Sequence, residues 1–410
     1  MQLARRFVPS DWGGTETVIF ETSKRLLALG HSTEILCTLA TASGVAEEID
    51  GVRVRRFPYF YPYIGLSREA RHLLDRKGGS PFSFSLMRAL NSVPDLDLIH
   101  LHAGNRIGGI GRYIAQRRRI PYVVSLHGGV FDVPVEEAAT WSAPSRGSFE
   151  WGKIFGWWVG SRRVLDDAAA ILCVGYNEKT LTQERYPNKR VIHLPNGVDP
   201  VRFARGDGLQ FRAQHGIPPD AYVILTVGRI DRQKNQLLPA RLLPKLHNIH
   251  PKTHLLFVGN VTSPAYYDEL TAVIRNVGIE RHVTIVPGLP ASAPDLVDAY
   301  HASDVFLLPS IHEPFGIVIL EAWAAGKPVL ASNVGGIRHL VEHSHDALSF
   351  DPGDEQTFLE VFEELARNPE TAKRVEAGMK KAHERFDWDV ITRSLIEIYE
   401  DAVDAGAPEK

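Results

Sequence analysis

Short apolar runs alternate with helix-periodic stretches along nearly the whole chain. In the first half, strand-length runs fall at 3–7, 32–37, 52–57, 98–102, 122–126, 170–174 and 191–194. A second series occupies 222–227, 253–258, 283–286, 305–308, 328–331 and 347–350. Between them, residues 15–29 place Val18, Ile19, Leu26, Leu27 and Leu29 at helical spacing, and Gly30 follows as a stop signal. Strands that alternate with helices predict parallel sheets covered by helices on both faces. The stretch 195–219, with Pro-Asn-Gly, Gly206, Gly208 and Pro218-Pro219, reads as a boundary. The last stretch, 386–403, is amphipathic and predicts a helix.

A chain of 410 residues exceeds what one core serves and predicts two domains. The first is expected over 1–200, joined by the terminal helix 386–410, and the second over 201–385. A composition of 44% apolar and 23% charged residues is that of a soluble enzyme, and a net charge of −3 excludes a general attraction to nucleic acid. No 18-residue apolar run is present, so no membrane-spanning helix is expected. The first ten residues lack the apolar core of a secretion signal. Cys37 and Cys173 lie in strand-like runs, which predicts buried thiols in a reducing cytoplasm.

The richest segment is Glu313-Pro-Phe-Gly-Ile-Val-Ile-Leu-Glu321. An apolar strand runs into it, a Pro-Phe-Gly turn follows Glu313, and a helix carries Glu321. Carboxylates accept several hydrogen bonds from vicinal hydroxyls, and free backbone N–H groups after the turn suit a phosphate. Ala322, Trp323, Ala324 and Ala325 predict a buried helix, so Glu321 requires partners. Arg229 and Lys234 follow strand 222–227, where two fixed cations can stabilise a departing diphosphate without a metal. Gly13-Gly14 precedes a helix and lets backbone approach a ligand closely. His127 lies just past strand 122–126, before Gly128-Gly129. Parallel sheets bind ligands beyond the carboxyl ends of their strands, and most of these positions are such ends.

Glu313 to Glu321 resembles the Glu-x7-Glu signature of retaining glycosyltransferases of family 4, the group 1 glycosyl transferases. That large family includes glycogen synthase-like and sucrose synthase-like enzymes and many bacterial sugar transferases. Gly13-Gly-Thr-Glu16, His127-Gly-Gly129, Pro195-Asn-Gly-Val-Asp199, Gly228 to Lys234 and Asn333-Val-Gly-Gly336 extend the resemblance, in the expected order, over nearly the whole chain. It implies the GT-B architecture: two Rossmann-like α/β domains with an interdomain cleft, the terminal helix crossing back onto the first.

The resemblance also implies roles. Arg229 and Lys234 contact the donor diphosphate, and Glu313 binds hydroxyls of the transferred sugar. Backbone groups of Phe315, Gly316 and Ile317 meet sugar and phosphate, and Glu321 binds the ribose. The Gly13-Gly14 loop closes on the donor, and His127 touches the transferred sugar. Asn196, Gly197 and Asp199 shape the hinge, and Gly335 and Gly336 the pocket floor. The donor is a UDP- or GDP-sugar, and the acceptor a saccharide, a lipid-linked saccharide or a small molecule. No metal or other cofactor is expected. Two readings stay open beside transfer: a sugar-nucleotide epimerase of the same fold, and a non-catalytic nucleotide-sugar-binding protein. Nothing in the sequence specifies an oligomeric state.

Several lookalikes fail. Asp95-Leu-Asp97 precedes its strand instead of following it, so no metal site is expected there. His100 and His102 share one side of a strand but lack a third ligand. Arg106 to Gly111 lacks the third glycine of a dinucleotide fingerprint, and Gly326-Lys327 lacks the first glycine of a P-loop. Arg117-Arg-Arg119 reads as a solvated helix end. Phe149, Trp151, Phe155, Trp157 and Trp158 with Lys153 form an aromatic-basic stretch, read as core, as acceptor cleft, or as peripheral contact with the inner face of a membrane. The aromatic loop 57–63 is an acceptor-site candidate or a packed surface loop.

Overall fold

A computed structural model describes residues 1–9, 13–76, 78–128, 131, 143–289, 293–367 and 371–406. The chain divides into two compact units, Met1–Pro195 with Ile391–Lys410, and Asn196–Val390. The first contains β1 (Gln2–Leu3), β2 (Ile35–Thr38), β3 (Ala46–Ile49), β4 (Val52–Phe57), β5 (Tyr63–Ile64), β6 (Ile99–Leu101), β7 (Tyr122–Leu126), β8 (Phe149–Glu150), β9 (Ala170–Cys173) and β10 (Val191–His193). The second contains β11 (Tyr222–Val227), β12 (Thr253–Val258), β13 (Val283–Val286), β14 (Val305–Leu308), β15 (Val329–Ser332) and β16 (Leu348–Phe350).

The first unit's main sheet has the order β10-β9-β7-β6-β1-β2-β4-β3. It is parallel except for β3, which runs antiparallel to β4 with Glu47 opposite Val54. That strand was not predicted, because Ala46-Glu-Glu-Ile49 is a half-exposed edge with no apolar run. Charges on an edge discourage pairing with another chain. Strands β5 and β8 form a separate antiparallel pair, too short to register as a pattern. β1 is shorter than the run 3–7, since its regular pairing ends at Leu3, although backbone bonds to β2 continue to Arg5 and Phe7 stays buried.

The second unit is a six-stranded parallel sheet, β13-β12-β11-β14-β15-β16. Alternate residues feed opposite faces. Val223, Leu225, Phe306 and Ala331 join one core layer, and Ile224, Leu255, Leu307 and Leu330 join the other. Both faces are thus closed by helices, as continuous apolar strands require. In the first unit, Leu395, Ile398 and Ala402 of the helix Trp388–Gly406 pack on Val123, Ala170 and Leu172.

The chain passes between units twice, at 195–196 and 390–391. Beside these crossings, Val198 N–H donates to the Phe386 carbonyl at 2.7 Å, and Trp388 N–H to the Val198 carbonyl at 3.0 Å. Gly197 fits only because it lacks a side chain: a Cβ there would lie 2.7 Å from the Trp388 ring. Asp199 caps the helix Pro200–Phe203 by accepting from Arg202 N–H at 3.0 Å.

Strand order reverses between β11 and β14 in the second sheet, and between β1 and β6 in the first. Such reversals open a crevice at the carboxyl strand ends, where ligands bind. The residues after β11 and β14 are those of the Gly228 and Glu313 motifs.

Candidate active site

The second unit assembles its site from the loops after β11 and β14. Gly228, at φ +150°, leads out of β11, and Gly259, at φ +156°, leads out of β12. They touch so closely that a Cβ on Gly259 would lie 1.9 Å from the Gly228 carbonyl oxygen. Arg229 follows, its Nη1 3.3 Å from Asp231 Oδ2 and its Nη2 donating to Gln233 Oε1 at 2.7 Å. Asp231 also accepts from Lys234 N–H at 3.1 Å, fixing the turn that carries the lysine.

This turn is tied to the loop after β14. Gln233 Nε2 donates to the His312 carbonyl at 2.9 Å, and Ile311 N–H to the Gln233 carbonyl at 2.8 Å. Lys234 Nζ forms an ion pair with Glu313 Oε2. Both side chains are nearly withdrawn from solvent, 12% and 11% exposed, so each charge depends on the other. Gly335 and Gly336 press from the side: Gly336 N–H donates to the Glu313 carbonyl at 2.8 Å, and a Cβ on Gly336 would sit 1.9 Å from the Pro314 carbonyl oxygen.

Gly316, at φ +96°, turns the chain into the helix Ile317–Ala324, which has no side-chain cap. Only glycine takes that conformation readily. First-turn amides without a cap, at the positive end of the helix dipole, suit a phosphate. Phe315 is buried edge-on against Phe386, so its ring is structural and its backbone faces the turn. Glu321 lies one turn into the helix and accepts from the buried Tyr300 hydroxyl at 2.6 Å. Burial raises the Glu321 carboxyl above its ordinary pKa of 4.5, against the opposing pull of that hydrogen bond.

The first unit carries the remaining candidates. Gly13 is the N-cap of the helix Gly14–Ala28, and its N–H donates to Glu16 Oε2 at 3.1 Å. His127 ends β7. Gly128, at φ +80°, donates its N–H at 3.1 Å to Glu178, a fully buried carboxylate in the helix Tyr176–Arg185. Gly129 lies outside the described residues. Burial lowers the His127 pKa to about 4.

The second unit therefore brings Arg229, Lys234, Glu313, Phe315, Gly316 and Ile317 together, with Glu321 one turn on. Gly13, Gly14 and His127 belong to the first unit, and Asn196, Gly197 and Asp199 to the crossing. Sequence reasoning missed Tyr300 and Glu178, whose partners are distant in the chain. It undervalued Asp231 and Gln233, which lie inside the Gly228–Lys234 motif. His102, set aside as an incomplete metal ligand, bonds to His127. Asp95 and Asp97 do precede β6, and the glycines of 106–111 pack a helix against Leu101 and Val159. Among the described residues, Glu342, His345 and Asp346 could share an ion, but Asp346 already accepts from Lys381 at 2.6 Å. Cys37 and Cys173 are buried and not joined in a disulfide.

Comparison with known proteins agrees with this layout. The model for Glycosyltransferase Family 4 matches residues 12–202, and that for Glycosyl transferases group 1 matches 209–382. D-inositol 3-phosphate glycosyltransferase 2 of Catenulispora acidiphila is 30% identical, aligned over 96% of this chain and 91% of its own. D-inositol 3-phosphate glycosyltransferase 1 of the same organism is 29% identical, over 97% and 92%. Among solved structures, Anabaena HepE in complex with UDP superposes with a TM-score of 0.72 at 20% identity, covering 97% of this chain and 98% of that one. Sucrose-phosphate synthase of Thermosynechococcus elongatus gives 0.72 at 20% identity, covering 99% and 100%. The chain is a glycosyltransferase of family 4, the group 1 glycosyl transferases, with the two Rossmann-like domains of the GT-B fold.

Proposed function

We propose that this enzyme moves a hexosyl unit from a UDP- or GDP-sugar to a hydroxyl acceptor, with retention at the anomeric carbon, in saccharide or polysaccharide biosynthesis. The observation that carries the reading is the Lys234–Glu313 pair beside the uncapped helix Ile317–Ala324 at the β11/β14 reversal. Cation and amides suit a diphosphate, and the carboxylate suits sugar hydroxyls. The second unit binds the donor and the first the acceptor. The bond from C1 to the phosphate oxygen breaks, and the diphosphate leaves with the electron pair. Lys234, Arg229 and the helix amides stabilise the charge that appears there, without a metal. The acceptor oxygen attacks C1 from the face the diphosphate leaves, and its proton passes to a phosphate oxygen. Glu313 orients the sugar, Glu321 holds the ribose, and His127 meets a sugar hydroxyl.

The acceptor is a saccharide, a lipid-linked saccharide or a small molecule, as the names of the relatives in Catenulispora suggest for the last. No described helix is long and apolar enough to cross a membrane. Peripheral contact with the inner face of the membrane is supported by the helix Lys153–Trp158, which buries none of its residues and leaves Trp157 82% exposed. Isothermal calorimetry of UDP, GDP, ADP and NAD with EDTA present tests the donor reading. Tight binding of UDP or GDP is expected, and preference for NAD or no diphosphate binding overturns it. Turnover of the matching nucleotide sugar with inositol 3-phosphate or a lipid-linked saccharide then identifies the acceptor. Isomerised donor released without acceptor overturns the transfer reading.

A further inference from the structure

A buried polar chain in the first unit ends on His127. His127 Nε2 lies 2.9 Å from His102 Nδ1, and His102 Nε2 lies 2.8 Å from Gln2 Oε1. Gln2 Nε2 donates to Tyr399 Oη at 3.3 Å, and that oxygen lies 2.6 Å from His100 Nδ1. His100 Nε2 is 2.7 Å from Ser125 Oγ. Gln2, His100, His102 and Ser125 are buried, and the rings of His100 and His102 lie with centroids 3.9 Å apart, tilted 38° to each other.

The hydrogens follow from donor and acceptor chemistry. An amide oxygen only accepts, so His102 Nε2 carries the hydrogen of that contact. Burial holds His102 neutral, so its Nδ1 is bare and accepts. His127 Nε2 must then donate. Since His127 is also held neutral, its Nδ1 is the bare nitrogen. Among the described residues that Nδ1 has no hydrogen-bond partner. Tyr399, accepting from Gln2, gives its hydroxyl hydrogen to His100.

We infer that Gln2, His102 and Tyr399 are positioning residues that hold His127 as the Nε2–H tautomer and leave its Nδ1 as an acceptor. The inference rests on the proposal that His127 meets the bound sugar. It specifies the contact as an O–H group of that sugar. A carboxylate at the same place would face a lone pair and be rejected. A chain that served only the fold would leave the tautomer of its last member without consequence for turnover.

Nitrogen NMR of the full-length protein labelled with 15N-histidine reads the tautomer directly, with His127 assigned by loss of its signals in His127→Gln. The wild type is expected to show Nε2–H. Gln2→Met fills similar space without an acceptor, so His102 and then His127 turn to the Nδ1–H form. With it, kcat falls roughly threefold to tenfold while the donor KM stays unchanged, the size of one lost hydrogen bond. Tyr399→Phe keeps the Gln2–His102 contact but lets the amide rotate, giving a mixture of tautomers and a smaller loss. An Nδ1–H signature in the wild type overturns the inference, as do both variants keeping the wild-type signature and kcat. If Gln2→Met fails to fold, the wild-type signature and Tyr399→Phe decide. The signature needs no transfer assay: a wild type with the expected tautomer but no turnover would sink the transferase reading alone.

Discussion

Lys234 and Glu313 neutralise each other, so each controls what the other can offer a ligand. Lys234→Ala leaves Glu313 nearly buried without its cation, and a loss of about 3–5 kcal/mol in chemical unfolding is expected. The double variant Lys234→Ala/Glu313→Ala should regain much of that stability and none of the transfer activity. Recovered activity would remove both residues from the chemistry. Glu321 supports a pH prediction. Its raised pKa means that the carboxylate is lost above the usual carboxylate range as pH falls, so donor affinity should drop there. In Glu321→Gln, which keeps an acceptor for Tyr300, that pH dependence should vanish. Affinity at neutral pH should fall by about 1.5–3 kcal/mol, the worth of hydrogen bonds to a charged group. Calorimetry across pH checks both. At this scale the sequence revealed residues whose chemistry is local to a motif, such as Lys234, Glu313 and Gly316. It hid Tyr300, Glu178 and Gln2, whose roles exist only through partners far along the chain.

Elements built on apolar runs were the readable ones, since apolar continuity is a strong signal. The strands β7, β11, β12, β13 and β14 begin and end where the apolar pattern places them. β3 was unreadable because its acids serve an edge, and β5 and β8 because two residues carry no period. Turns impose their own demands. Gly336 has φ −70°, which any residue adopts, so its requirement is space alone. Gly336→Ala pushes a methyl into the Pro314 carbonyl and should displace the Glu313–Phe315 turn. A loss of about 1–3 kcal/mol by thermal unfolding is expected, together with weakened nucleotide binding. Unchanged binding would mean that this turn does not hold the ligand. The helix Lys153–Trp158 shows the converse: Phe155 and Trp158 pack on Phe82, but Ile154 and Trp157 stay exposed, an apolar surface that packing does not explain. Flotation with anionic vesicles, compared between wild type and Trp157→Glu, checks the membrane contact proposed for it.

At the scale of the molecule, the neutral histidines of the first unit make it sensitive to acid. His100 and His102 are held far below 6.5, and His127 at about 4. Unfolding frees all three to bind protons, and with them His254 of the second unit, held at about 4, so stability should fall as pH drops from 6.5 towards 4, with net proton uptake on unfolding. Calorimetry in buffers of different ionisation heat measures that uptake. The double crossing has another consequence, for how the protein comes to exist. A ribosome releases residues 1–195 long before 391–406, yet Leu395, Ile398 and Ala402 cover β7 and β9, and Tyr399 completes the chain to His127. During synthesis the first unit therefore waits, one face uncovered, while the whole second unit emerges. The helix Trp388–Gly406, made after the second unit, finishes the first, so the polar chain to His127 is complete only once Tyr399 has emerged.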